Sequence, residues 1–297
     1  MSSREPTHTE IVLPDLGRKL SDVYSYLGGI PARELSCALR SGDGLSVAYQ
    51  PQINVRDGLV SAVEALARWH HPRVGPVPPR VFIPIAEDTG LILQITDFVL
   101  RDACALANRH CNLTVAVNLS PMLFTLPMLI ERCVEIVQQC GTKPTQIEFE
   151  ITERLPLAGN GFASDSIAAL RALGFRIALD DYGVGYSGPR RLSRIDLDKL
   201  KIDQSFVRNL DCIGVAMVPE KLREMVELGH AMGLIVTAEG VETEEQCRFL
   251  TAVGCDALQG YFFARPMPSD ELEGFLMVQD WAPIPLSSEG SSSRARI

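Results

Sequence analysis

Between residues 31 and 280 the chain alternates short apolar or β-branched runs with longer stretches in which apolar residues recur every three or four positions. The first kind predicts strands at 45–54, 58–69, 113–118, 146–152, 174–180, 196–202, 234–239 and 256–263. The second predicts helices at 92–109, 127–140, 162–173, 218–232 and 244–253. Thr243 and Gln246 have the spacing of a capping box ahead of the last of these, and Gly174, Gly233 and Gly254 stand where helix C-cap glycines belong. Eight strands interleaved with helices predict an α/β fold, a (β/α)8 TIM-like barrel, whose reactive groups gather at the C-terminal ends of the strands. Only Arg56, Asp57 and Gly58 separate the first two strands, so one of the two is expected to run antiparallel to the rest.

Period-two alternation then assigns faces. In 113–118, Thr114, Ala116 and Asn118 oppose Leu113, Val115 and Val117; in 175–180, Ala178 and Asp180 oppose Ile177 and Leu179. The aliphatic face suits a layer of helices, which leaves Asn118, Glu150, Asp180, Lys201, Glu239 and Gln259 pointing inward near strand ends, with Glu64 and Arg68 together on the second strand. The polar flanks predict an N-terminal extension over 1–30, a barrel domain over 31–280 and a flexible polar tail over 281–297.

Composition narrows the function. With 46% hydrophobic and 22% charged residues, the 297-residue chain can bury a large core and is not disordered. Its 28 basic and 37 acidic residues give a net charge of −9, unsuited to holding a nucleic acid polymer through its phosphates. No apolar run reaches the roughly 18 residues of a membrane span and no signal-peptide pattern opens the chain, so a soluble, cytoplasmic protein is expected. The eight cysteines contain no C-x-x-C pair and read as ordinary thiols.

Glu64, Asn118, Glu150, Asp180 and Asp181 converging in one pocket would repel one another without cations, and hard oxygen donors favour Mg²⁺ or Mn²⁺. Adjacent aspartates let one carboxylate bridge two ions while the next holds the second, an arrangement suited to in-line phosphoryl displacement. Lys201 adds a fixed positive charge, and Glu239 and Glu242 can supply a further ligand, a supporting partner or a base. Singly, each has a plainer reading: turn chemistry for the aspartates, helix-end polarity for Glu242, a strand lysine reaching for solvent. Their joint placement at successive strand ends favours a site.

Val63-Glu64-Ala65-Leu66-Ala67-Arg68-Trp69, preceded by Tyr49-Gln50-Pro51, resembles the signature of the EAL-domain phosphodiesterases that hydrolyse bacterial cyclic di-GMP. The resemblance extends from about Leu35 to Leu276 through Val117-Asn118-Leu119-Ser120, Glu150-Ile151-Thr152-Glu153, Asp180-Asp181-Tyr182-Gly183, Leu200-Lys201-Ile202-Asp203, Ala238-Glu239-Gly240-Val241-Glu242-Thr243 and Gln259-Gly260-Tyr261, in the family's order. It implies a first ion, Mg²⁺ or Mn²⁺, on Glu64, Asn118, Glu150 and Asp180, and a second on Asp180, Asp181 and Glu239. Lys201 would contact the water network, with Glu242 and Gln259 in support. Gln50, Leu66 and Arg68 would contact the dinucleotide, Arg68 toward phosphate; core packing is the other reading of Leu66. Glu153 would anchor the loop at about 181–187, and a homodimer is implied.

That loop departs from the family pattern at Tyr182, Val184, Gly188 and Pro189, which bears on turnover. His70 and His71 match a family segment without a catalytic histidine and are read as structural or pocket-rim residues. The expected activity is metal-dependent hydrolysis of cyclic di-GMP to linear pGpG; the alternative is a cyclic di-GMP receptor impaired in turnover. A barrel abstracting a proton beside a carboxylate needs fewer carboxylates and ranks last. No sensor or synthase segment is recognisable beside the domain, so regulation is expected through partners, dimerisation or expression.

Overall fold

The computed structural model describes residues 32–153, 162–185, 192, 195–211 and 217–277. The expected N-terminal extension and polar tail, and the loop positions Gly188 and Pro189, lie outside the described residues. In chain order the elements are α1 (Ala32–Ser41), β1 (Leu45–Asn54), β2 (Val60–His71), β3 (Gly75–Val77), α2 (Pro79–Thr89), α3 (Ile92–Arg109), β4 (Thr114–Asn118), α4 (Leu129–Gln139), β5 (Ile147–Thr152), α5 (Phe162–Ala172), β6 (Arg176–Tyr182), β7 (Lys199–Ile202), α6 (Gln204–Arg208), α7 (Met217–Ala231), β8 (Ile235–Ala238), α8 (Glu244–Ala252), β9 (Ala257–Leu258) and α9 (Ser269–Met277).

The sheet order β1-β9-β8-β7-β6-β5-β4-β2 closes through β1 and β2 into an eight-stranded barrel, with β3 hydrogen-bonded outside β2. β1 is the antiparallel strand, paired against both β2 and β9. Its reversal follows from the tight turn, where Gly58 N–H donates to Asn54 O at 2.9 Å and the Asn54 and Asp57 side chains accept from the Arg56 and Leu59 amides at 2.8 and 3.0 Å. The remaining barrel strands run parallel to β2 from β4 to β9.

Alternation places the side chains as the sequence predicts. Val115, Val117, Ile147, Phe149, Ile151, Ile177, Leu179, Leu200 and Val236 are fully or almost fully buried in the main hydrophobic core. Each such side chain contributes about 1.5–3 kcal/mol through burial. The complementary face turns into the barrel and, on β1, β2, β4, β5, β6, β7 and β8, carries polar groups. The capping box at α8 is present in full, Thr243 accepting from the Gln246 amide and Gln246 reaching back.

The first strand keeps its expected bounds and the others shift, two of them in ways that bear on the site. The last strand is two residues, not 256–263, because the chain turns at Gly260 to pack on the Val241 backbone; a Cβ there would sit 2.1 Å from the Val241 carbonyl oxygen. The sixth strand runs on to Tyr182 through an irregularity: Leu179 pairs with Leu200 and Tyr182 with Ile202, so Asp180 and Asp181 together oppose Lys201. This is a β-bulge, and Asp181 takes φ +56°, a left-handed conformation that aspartate tolerates better than most side chains.

Candidate functional site

The C-terminal mouth of the barrel is organised around Lys201, whose side chain has no solvent exposure. Its Nζ lies 2.7 Å from Glu150 Oε1, 2.6 Å from Glu239 Oε1, 3.3 Å from Asp180 Oδ1 and 3.4 Å from Glu64 Oε2. These carboxylates come from β5, the loop after β8, β6 and β2, so four separate chain segments meet at one ammonium. Glu64 is fixed on its other sides by Asn118 Nδ2 at 2.8 Å and Gln259 Nε2 at 2.7 Å. Gln259 also donates to Gln50 Oε1 at 3.1 Å, and Gln50 Nε2 donates to the Ala264 carbonyl at 3.2 Å.

Four carboxylates around one lysine leave a surplus of negative charge in a buried place. Glu150 Oε1, Asp180 Oδ1 and Glu239 Oε1 are buried and share one ammonium with Glu64, more acceptors than its three hydrogens can serve, and Glu150 Oε2 is buried without a hydrogen-bond partner. Burial first, then the neighbouring carboxylates, pushes the Glu150 and Glu239 carboxyls well above their ordinary range against the pull of Lys201. Burial raises Asp180 as well. Glu64 goes the other way: burial works to raise it, but Lys201 and the donors Gln259 and Asn118 hold it low. For Lys201, burial works to lower the pKa and the four carboxylates carry it well above the usual lysine value.

Over this cluster lies a cavity of about 570 Å³ whose lining includes Gln50, Glu64, Leu66, Arg68, Glu239 and Gln259. Arg68 is half-buried; among the described residues its guanidinium bonds the Ala67 carbonyl at 3.0 Å and forms no ion pair, so its charge is available to a ligand. Burial draws its pKa down while Glu64 draws it up. Glu242 also lines the cavity, but at its exposed rim, 3.5 Å from Arg208 and apart from the Lys201 cluster. Asp181 is exposed at the bulge and likewise stands outside the lysine's shell. Glu153 is buried and accepts a hydrogen bond from the Gly185 amide at 2.7 Å, at the start of the loop after β6.

The structure brings in residues that the sequence reading passed over: Arg80, Gln204, Arg208 and Tyr261 line the same cavity, the last with Arg265 stacked 4.3 Å from its ring centre. Tyr261 follows Gln259 by two positions, so the alternation that selected Gln259 also pointed to it. His71 faces away, buried between Trp69 and Glu34, and His70 is exposed, which leaves neither histidine in the cavity lining.

Among the described residues no group of three or more His, Cys, Asp or Glu is gathered tightly enough to count as a formed metal site. The donor chemistry nevertheless fits a hard divalent cation: oxygen donors alone, buried, in negative excess, with one ammonium shared among four carboxylates. Among the described residues no helix is long and apolar enough to cross a membrane.

Known proteins of the same build place the chain. It is 43% identical over 244 residues to a signaling protein of Caulobacter vibrioides, covering 81% of this chain and 30% of that one. It is 38% identical over 249 residues to the cyclic di-GMP phosphodiesterase NbdA of Pseudomonas aeruginosa, covering 82% and 31%. The structure of the MucR phosphodiesterase in complex with c-di-GMP superposes with a TM-score of 0.76 at 36% identity, over 81% of this chain and 98% of that one. The chain spans about a third of the length of the curated relatives it matches. With the EAL domain model matching residues 32–266, the chain belongs to the EAL domain family.

Proposed function

We propose that the chain is a divalent-cation-dependent phosphodiesterase that hydrolyses cyclic di-GMP to linear pGpG. The observation that carries this reading is the surplus of buried carboxylate around Lys201, lying directly beneath a cavity that presents the guanidinium of Arg68, which forms no ion pair among the described residues. The likeness to NbdA and to the MucR complex supports the choice of substrate.

In this reading Glu64, Asn118, Glu150 and Asp180 would hold one Mg²⁺ or Mn²⁺, and Asp180, Asp181 and Glu239 would hold a second. When bound, such ions neutralise phosphate charge and make water a stronger acid at neutral pH. The chain's own residues do the rest. Arg68 binds a phosphate oxygen with its planar fork, while Gln50 and Leu66 seat the dinucleotide against the cavity wall. Gln259 and Asn118 keep Glu64 ionised and correctly turned. Lys201 holds positive charge beside the attacked phosphorus. Water oxygen forms the new P–O bond, the ribose O3′ leaves with a proton, and one phosphodiester linkage opens. Glu153 holds the start of the loop after β6 through Gly185, and Glu242 with Arg208 shapes the rim.

The test is to incubate the purified protein with cyclic di-GMP and Mg²⁺ or Mn²⁺ and resolve the products by chromatography. Appearance of pGpG that stops on chelation is the expected result. Tight binding without product would replace the enzyme by a receptor, and neither binding nor product would remove both.

A further inference from the structure

We propose that Lys201 is a built-in counter-cation that competes with divalent ions for Glu64, Glu150, Asp180 and Glu239, holding the mouth together in their absence and weakening the site's hold on them. This inference rests on the reading of the mouth as a cation site. An ammonium has three hydrogens, yet Lys201 stands 2.6 to 3.4 Å from four carboxylates, more acceptors than it can serve. Its role is therefore that of a central charge, the role a divalent ion would also fill.

The neighbours agree. Asn118 and Gln259 support Glu64 as neutral amides and add no competing charge. Arg68 and Arg208 lie in the cavity lining, and Arg208 faces Glu242 instead of the cluster. Among the described residues, Lys201 is thus the cation set inside the carboxylate shell. A divalent ion and the ammonium together do not exceed the charge of the four carboxylates, but they draw on the same oxygens and repel each other at close range, so each weakens the hold on the other. Binding of a divalent ion then requires Lys201 to give up part of its contacts, and each carboxylate has a second oxygen that allows the exchange without moving a strand.

The test compares Mn²⁺ binding to wild type, Lys201→Met and Lys201→Arg by calorimetry, without substrate, after circular dichroism has shown each to be folded. Removing the charge should raise Mn²⁺ affinity about tenfold or more, and arginine should keep it within about threefold of wild type. In chelator, Lys201→Met should melt below wild type, with added Mn²⁺ restoring most of the difference. Unchanged or weaker Mn²⁺ binding by a folded Lys201→Met overturns the inference while leaving the cation site intact. Absence of Mn²⁺ binding by wild type would instead remove the proposed function. If Lys201→Met does not fold, NMR of the wild-type lysine ammonium groups decides: Mg²⁺ should speed hydrogen exchange at Lys201, and an unaltered signal at saturating Mg²⁺ contradicts competition.

Discussion

Lys199 and Lys201 stand one above the other on the inward face of β7, both buried, and their neighbours divide the barrel interior into a neutral floor and an acidic mouth. On the floor, Lys199 Nζ meets Glu148 Oε1 at 2.5 Å and Gln52 Oε1 at 2.9 Å, one cation to one carboxylate and a neutral amide. At the mouth, Lys201 meets four carboxylates. The same residue type on the same strand face therefore has two meanings. Balance marks a pair that completes the interior; surplus marks a place that needs something from outside the chain. Charge counting within a layer separates structural from functional ionisable groups more sharply than burial does, since burial is the same in both.

The largest effect expected from this contrast is on stability at the floor. Lys199→Met strands Glu148 in the interior and should cost about 3–5 kcal/mol, read by urea unfolding. The double variant Lys199→Met with Glu148→Leu should recover most of it, because an apolar pair of similar volume replaces a balanced ion pair at little net cost. A double variant as unstable as the single would mean that the pair acts through more than mutual neutralisation.

At the mouth the corresponding change strikes chemistry. Glu64→Ala or Asp180→Ala should lower hydrolysis by about 100-fold or more, since either misplaces the reacting groups by around 1 Å. The chelated fold should largely survive, because removing one carboxylate relieves crowding around Lys201. Wild-type turnover in either variant would remove the carboxylate surplus from the mechanism.

A subtler effect is the pH dependence of stability. Glu150, Glu239 and Asp180 have raised pKa values in the folded protein, so they favour the fold at low pH and cease to do so as pH rises through those values. Glu64 is lowered and contributes in the opposite sense, its share disappearing on acidification. Lys201, being raised, keeps its contribution up to alkaline pH. The raised carboxyls dominate, so the chelated protein should lose thermal stability over the interval from the ordinary carboxylate range up to neutral pH, and saturating Mg²⁺ should flatten the slope. A chelated melting temperature that climbs over this interval would show that the mouth ionises without strain.

The smallest effect concerns the loop after β6. Glu153→Ala removes the hydrogen bond to Gly185 and should reduce kcat by about fivefold, the worth of roughly 1 kcal/mol, with Mn²⁺ affinity unchanged. Unaltered kcat and oligomeric state would reduce Glu153 to a buried strand-end group.

Much of this was legible in the chain because period-two alternation is a strong signal in a barrel strand. Asn118, Glu150, Asp180 and Lys201 fall on the inward face by that rule alone, and the rule also selects Glu148, Lys199 and Gln52 two residues away. The floor was missed because no strand-end motif drew attention to it. Asp181 is reached through its adjacency to Asp180 and the motif it belongs to, not through alternation, which puts it outward; the bulge that sets it opposite Lys201 is a property of pairing with β7. α1 and α2 were overlooked since the first lies in a polar stretch and the second opens on Pro78-Pro79 and contains Pro84, residues that read as breakers until the helix start is known.

The difference between mouth and floor is tested most directly by counting Mn²⁺ on the intact chain by calorimetry alongside paramagnetic broadening of lysine ammonium signals. Two ions per chain are predicted, with Lys201 broadened far more than Lys199 and the ion held by Glu64 absent from Glu64→Ala. Saturating Mn²⁺ that leaves the Lys201 signal untouched would contradict the account, because the surplus of carboxylate would then not be a place for cations.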